Sequence, residues 1–208
     1  MNKFNHVFPK PLPIALILIC IFAILIPKLI YVDHISSSTR TAEFMINKPY
    51  LIVVSEMAKK ESLEETIEQT GSKLISKEWK NFELVPPDRR IQLREYKLIG
   101  DLDFKVSSND SNLGNLVLEF NQKINLNKKE FKIETKLKNK NEKVLKYNKN
   151  IIMTPDSERI LNKVNVKITS EIKIKNKIPF FAREIMDEKV DKSNELDLSK
   201  IKNFFLKK

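Results

Sequence analysis

Residues 164–190, VNVKITSEIKIKNKIPFFAREIMDEKV, hand a strand directly to a helix. Val164, Val166, Ile168, Ile172 and Ile174 share one parity, while Asn165, Lys167, Thr169 and Lys173 occupy the other. Successive side chains of a strand point to opposite faces, so the pattern predicts a half-buried strand of an antiparallel sheet. Pro179 cannot donate to a ladder and ends that strand. Phe181, Ile185 and Met186 then fall at i, i+4 and i+5, and Leu196, Leu198, Ile201 and Phe204 follow. The last thirty residues therefore read as one helix or a broken pair, with an apolar stripe that needs a sheet to cover.

The stretch before this junction is punctuated in the same way. KLISKEWKNFELV, RRIQLREYKLIGDLDFKV, LVLEFNQKINL, EFKIETKL and KVLKYNKNIIM are strand-like runs, separated by PPD, SSNDSNLGN, NKK, KNKNE and TPDSE. Earlier still, STRTAEFMI alternates loosely and reads as a first strand. Asn47 is placed to cap a helix with Pro49 in its first turn and Tyr50, Val53, Val54 and Met57 at helical spacing, although the β-branched run Ile52–Val54 also suits a strand. Ser62 and Glu65 have the spacing of a capping box for a second helix, with Leu63, Ile67 and Leu74 following and Gly71 near its end. No period of 20–50 residues repeats.

The N-terminus is of another kind. Residues 12–32, LPIALILICIFAILIPKLIYV, contain thirteen uninterrupted apolar residues from Ile14 to Ile26. A spanning helix needs about 20 such residues, a length reached if Lys28 carries its ammonium toward the head groups. A cleaved signal peptide is the alternative, but no small-residue cleavage site follows the run, and Ile19 precedes Cys20 where a lipoprotein would have a small residue. The expected organisation is a tail over 1–11, a transmembrane helix over 12–32, a polar linker over 33–40 and one domain over 41–208. Lys3 and Lys10 stand on one side without acids, which favours the tail inside and the domain outside the cytoplasm.

Composition narrows the chemistry. Three glycines in the whole chain leave no Gly-rich phosphate loop. The net charge is +11, mostly lysine spread along the chain, and no basic helix or recognition motif accompanies it, so nucleic acid is not an expected partner. Residues 121–150 hold ten Lys and three Glu, a surface that is either simply soluble or able to dock on anionic lipid. Cys20 is the only cysteine, and His6 and His34, the only histidines, both lie beside the apolar segment. Ser-His-Asp and Cys-His arrangements and His-ligated metals are therefore not expected within the domain, and no cofactor is implied. Glu56, Glu61, Glu64, Glu65 and Glu68 read as a solvated helix face, and Thr154–Arg159 as a turn.

The element order, together with VKITSEIKIKNKIPFF, resembles the START-related, polyketide-cyclase-like helix-grip superfamily of lipid-binding proteins, over residues 38–207 and in its bacterial-type form. The resemblance implies an α+β fold: a curved antiparallel sheet of about six or seven strands around a long C-terminal helix, here with an N-terminal transmembrane helix added. It implies a ligand between sheet and helix, for which Trp79, Tyr96, Phe104, Phe120, Ile185 and Met186 are the candidate lining, unless they are ordinary core. The expected function is a membrane-anchored, non-enzymatic binder of an apolar molecule such as a lipid, quinone or pigment. A protein-docking module with a filled core and a carboxylate-dependent cyclase or hydrolase are the alternatives.

Overall fold

A computed structural model describes residues 21–22, 30–68, 73–85, 97–108, 116–127, 129–139, 141–156 and 162–207. The elements are β1 (Tyr31–Ile46), α1 (Tyr50–Met57), α2 (Lys60–Glu68), β2 (Lys73–Val85), β3 (Lys97–Ser108), β4 (Leu116–Leu126), β5 (Phe131–Leu137), β6 (Val144–Pro155), β7 (Val164–Pro179), a 3-10 turn (Phe180–Ala182) and α3 (Arg183–Lys207). The strands form one antiparallel sheet in the order β1-β7-β6-β5-β4-β3-β2. The first strand thus pairs with the last, and the helix that follows β7 is delivered to that side of the sheet. Seven antiparallel strands, a helix pair after the first and a long C-terminal helix make a helix-grip arrangement.

Local chemistry explains the tight connections. Asn127 Oδ1 accepts from the amides of Lys129 and Glu130 at 2.8 and 3.0 Å, closing the turn between β4 and β5. Asn141 does the same for Lys143 and Val144 before β6. Asparagine side chains replace a backbone acceptor in such turns.

Four expectations are corrected. The linker over 33–40 is strand, because β1 keeps an unbroken register with β7 from Tyr31↔Pro179 to Ile46↔Val164. A serine-rich stretch looks like a linker by composition, but a sixteen-residue partner strand supplies its ladder. Tyr31 and Val32 consequently belong to β1. The rest of the expected membrane helix over 12–32 lies almost wholly outside the described residues, among which no helix is long and apolar enough to cross a membrane. Asn47 does not cap α1: Pro49 holds the capping position with no side-chain bond, its φ of −56° already suited to the helix. Ser62 is not a cap either, since α2 begins at Lys60 and the Leu63 amide already bonds the Lys59 carbonyl at 3.1 Å.

The buried side chains form two clusters at opposite ends of the inner sheet face. The distal cluster gathers Ile124, Leu126, Phe131, Ile133, Ile151, Met153, Val166 and Ile168 under α1 and the last turns of α3, where Leu198, Ile201, Phe204 and Phe205 pack. The proximal cluster, nearer Tyr31 and Pro179, gathers Leu102, Phe104, Val106, Leu118, Phe120, Val144 and Ile174 with Ile67 of α2 and Val190 of α3. Helix α3 lies chiefly over β1 and to a lesser extent over β7, so it covers one side of the sheet rather than crossing the middle of the concave face.

Candidate functional site

Between the two clusters the inner face changes character. The register runs Gln122↔Thr135, Thr135↔Lys149, Lys149↔Ser170 and Ser170↔Arg40, one transverse row through β4, β5, β6, β7 and β1. In β4, β5, β6 and β7 these residues occupy the largely apolar parity, whereas Arg40 of β1 shares its parity with His34, Ser36 and Ser38. Lys149 is 6% exposed, Gln122 2% and Ser170 1%. Gln122 Oε1 and Ser170 Oγ have no hydrogen-bond partner. The Lys149 ammonium lies 5.3 Å from the centre of the Tyr147 ring. Burial pushes the Tyr147 phenol up, the neighbouring Lys149 charge opposes that shift, and Asp197 of α3 adds to it. A polar belt thus crosses β4 to β7 between apolar rows, while the inner face of β1 stays polar through Ser38, Ser36 and His34.

On the proximal side of the belt the lining is aromatic. Phe104 and Phe120 stack at 5.3 Å, and Phe120 meets Tyr147 edge-on at 5.2 Å. Leu74, Leu116, Leu137, Ile172 and Met186 border the cluster only partly buried.

Helix α3 is held to β1 by a polar seam. His34 Nε2 lies 2.8 Å from Asp187 Oδ1, Ser38 Oγ donates to Asp191 Oδ1 at 2.8 Å, and the Arg40 guanidinium takes both oxygens of Asp191. Asn194 donates to Ser38 Oγ at 3.0 Å and to the Ser170 carbonyl at 3.3 Å. Arg40, aided by Ser38, holds the Asp191 carboxyl down to about 2. Burial raises Asp187, but its hydrogen bonds to the β1 side chains outweigh that and leave it below the usual carboxylate range.

The expected lining residues separate under this geometry. Phe104 and Phe120 are buried in the proximal cluster, and Met186 packs against its edge. Trp79 touches both clusters, and its Nε1 donates to Glu64 Oε1 at 3.1 Å, so it also ties β2 to α2. Glu64 is thereby bonded to Trp79 and Lys77, unlike a solvated face. Gly100 makes room for the indole: a Cβ there would sit 3.3 Å from the Trp79 ring. Ile185 is a correction: at 56% exposed it faces away from the sheet, because the helical turn that buries Met186 carries its neighbour outward. Tyr96 lies outside the described residues. Gln122, Tyr147, Lys149 and Ser170 are added by the structure. Their signal in the sequence is that each interrupts or polarises an otherwise apolar parity.

Among the described residues no three His, Cys, Asp or Glu side chains gather as a metal site. The carboxyls with displaced affinities, Glu64, Asp103, Glu119, Glu134, Asp187, Glu188 and Asp191 among them, are all held low.

No family model and no curated protein matches the chain. Among solved structures it is similar to the Zhui aromatase/cyclase from Streptomyces sp. R1128, at 10% identity over 81% of this chain and 93% of the other, with a TM-score of 0.43. It is similar to a START superfamily protein from Mycobacterium smegmatis at 11% identity over 82% and 97%, TM-score 0.39. It is also similar to norcoclaurine synthase from Thalictrum flavum at 11% identity over 100% and 98%, TM-score 0.40. No ligand, substrate or residue role passes from them to this chain.

Proposed function

We propose that the chain is a membrane-anchored binding protein that holds an apolar molecule, a lipid, quinone or pigment, between the proximal part of the sheet and the start of α3. It acts as a carrier or accessory factor. The observation that carries this proposal is the proximal cluster itself: a stacked aromatic floor whose rim side chains remain only partly covered. Apolar surface of this kind yields roughly 25 cal/mol per Å2 when a ligand covers it, before the costs of association.

The membrane side of the proposal rests on where the chain enters. β1 starts at Tyr31 opposite Pro179, at the proximal end, and the apolar run Ile14–Ile26 precedes it in sequence. Phe180, Phe181 and Ile185 are exposed beside that point, with the two phenyl rings 5.6 Å apart. Exposed aromatics next to an apolar segment suit a bilayer interface. The binding end then faces the bilayer, with the domain on the extracytoplasmic side.

Binding is proposed to occur without turnover. A carboxylic general acid needs its affinity for the proton raised toward neutrality, whereas the displaced carboxyls described above are lowered. His34 is committed to Asp187 in the seam.

Filling the mouth tests the proposal. Met186→Trp should weaken displacement of a fluorescent lipid by the order of tenfold or more with the thermal midpoint kept near wild type, while Ile185→Trp, on the exposed face, should bind as wild type does. Equal binding by all three, or no binding by wild type to any lipid, quinone or pigment tried, would overturn it.

A further inference from the structure

We infer that the polar belt is the recognition site for the head of the bound molecule, and that this head is a carboxylate received by Lys149. The inference rests on the binding proposal above and names the ligand's chemical class: a long apolar tail ending in one anionic group. Three observations meet here. Lys149 is buried on the inner face, where an ammonium is costly without a partner of opposite charge or full hydrogen bonding, and its bond to the Tyr147 hydroxyl supplies no charge. Its strand neighbour Ser170 stands directly opposite, and Gln122 lies two strands away on the same row. Both carry buried side-chain oxygens with no partner.

An internal ion pair accounts for only part of this. Asp197 of α3 lies close enough to act on Tyr147, and it has an interaction of its own. A pairing of Lys149 with Asp197 would explain the buried ammonium. It would leave Ser170 Oγ and Gln122 Oε1, aligned on the same row, without a purpose. Buried polar groups are almost always satisfied, and orphans aligned beside a buried cation mark a place where a further group belongs. Arg40, at the far end of the row, is already taken by Asp191 and is half exposed.

A carboxylate fits the row. It accepts from the Lys149 ammonium and from the Ser170 hydroxyl, and a water between them would donate to both the carboxylate and Gln122 Oε1, which is itself an acceptor. The tail would leave the belt across Tyr147, Phe120 and Phe104 toward the proximal rim. Adjacent inner rows of a strand are about 6.6 Å apart, so the tail passes the rows of Ile172 and Ile174 on its way toward Pro179. The head would enter first, and the tail would point toward the end where the N-terminal segment joins.

The test compares oleate with oleyl alcohol, which share a tail and differ at the head. Equilibrium dialysis of both radiolabelled ligands against the full chain in nanodiscs, with empty discs subtracted, gives the ratio directly. Wild type should bind oleate at least tenfold more tightly than the alcohol. Lys149→Met should bring the two within about twofold by weakening oleate alone, and Gln122→Leu should reduce the preference less. Lys173→Met, an outward lysine on β7, removes the same charge and should leave the ratio unchanged. Should Lys149→Met fail to fold by circular dichroism, the Gln122→Leu ratio decides. Alcohol and oleate bound equally well by wild type, or a preference that survives Lys149→Met, overturns the inference while leaving apolar binding in place. No binding of either ligand by wild type overturns both.

Discussion

Asp191 carries more of the link between α3 and the sheet than any other polar residue described. It takes Arg40 and Ser38 together, and these two hold its carboxyl down to about 2. A carboxyl lowered in the folded state contributes stability that is complete above its unfolded affinity and is lost as pH falls through its folded one. The stability it gives should therefore fall away between about pH 4 and about pH 2. Urea unfolding across that range checks this: Asp191→Asn should show a shallower acid loss than wild type, and equal slopes would show that the seam contributes nothing. At this scale the sequence is least readable. Ser170, Gln122 and Lys149 each sit at a position that should be apolar by parity, a visible irregularity in three separate strands. What makes them one row is the register, and register is set by long-range pairing that a single strand does not display.

The elements were far more legible. Runs such as KLISKEWKNFELV and LVLEFNQKINL match β2 and β4 end to end, because period-two alternation and polar turns are local signals. β1 is legible only over STRTAEFMI, and its first half is hidden for the opposite reason. Its inward Ser38 is bonded by α3 and its ladder by β7, both more than a hundred residues away. Helix α3 was expected as a continuous or broken helix, and it is continuous from Arg183 to Lys207. Of the stripe the sequence predicts, Leu198, Ile201 and Phe204 are buried, Phe181, Ile185 and Leu196 are exposed, and Val190, Asn194 and Phe205 complete the inward set. Substitutions separate the two faces. Phe205→Ala, fully buried in the distal cluster, should cost about 3–5 kcal/mol in urea unfolding. Ile185→Ala should stay within about 0.5 kcal/mol of wild type. A large loss at Ile185 would mean that α3 turns another face to the sheet.

The whole molecule has a direction. The distal end is covered by α1 and the last turns of α3, α2 reaches both clusters through Leu63 and Ile67, and the proximal end carries the aromatic floor, the exposed Phe180 and Phe181, and the start of β1. Much of the lysine excess lies on the outer face, where Lys80 and Lys138 meet Asp103, Lys105 meets Glu119 and Lys146 meets Glu171. Those pairs belong to a solvated surface and leave the inner face as the place for a ligand. Native mass spectrometry of the full chain tests the central claim most directly, when followed by solvent extraction of what it carries. An apolar molecule bound one to one in wild type, and lost in Met186→Trp at unchanged fold, is the predicted result. A chain that flies bare in both forms, with nothing apolar extracted from either, would contradict it.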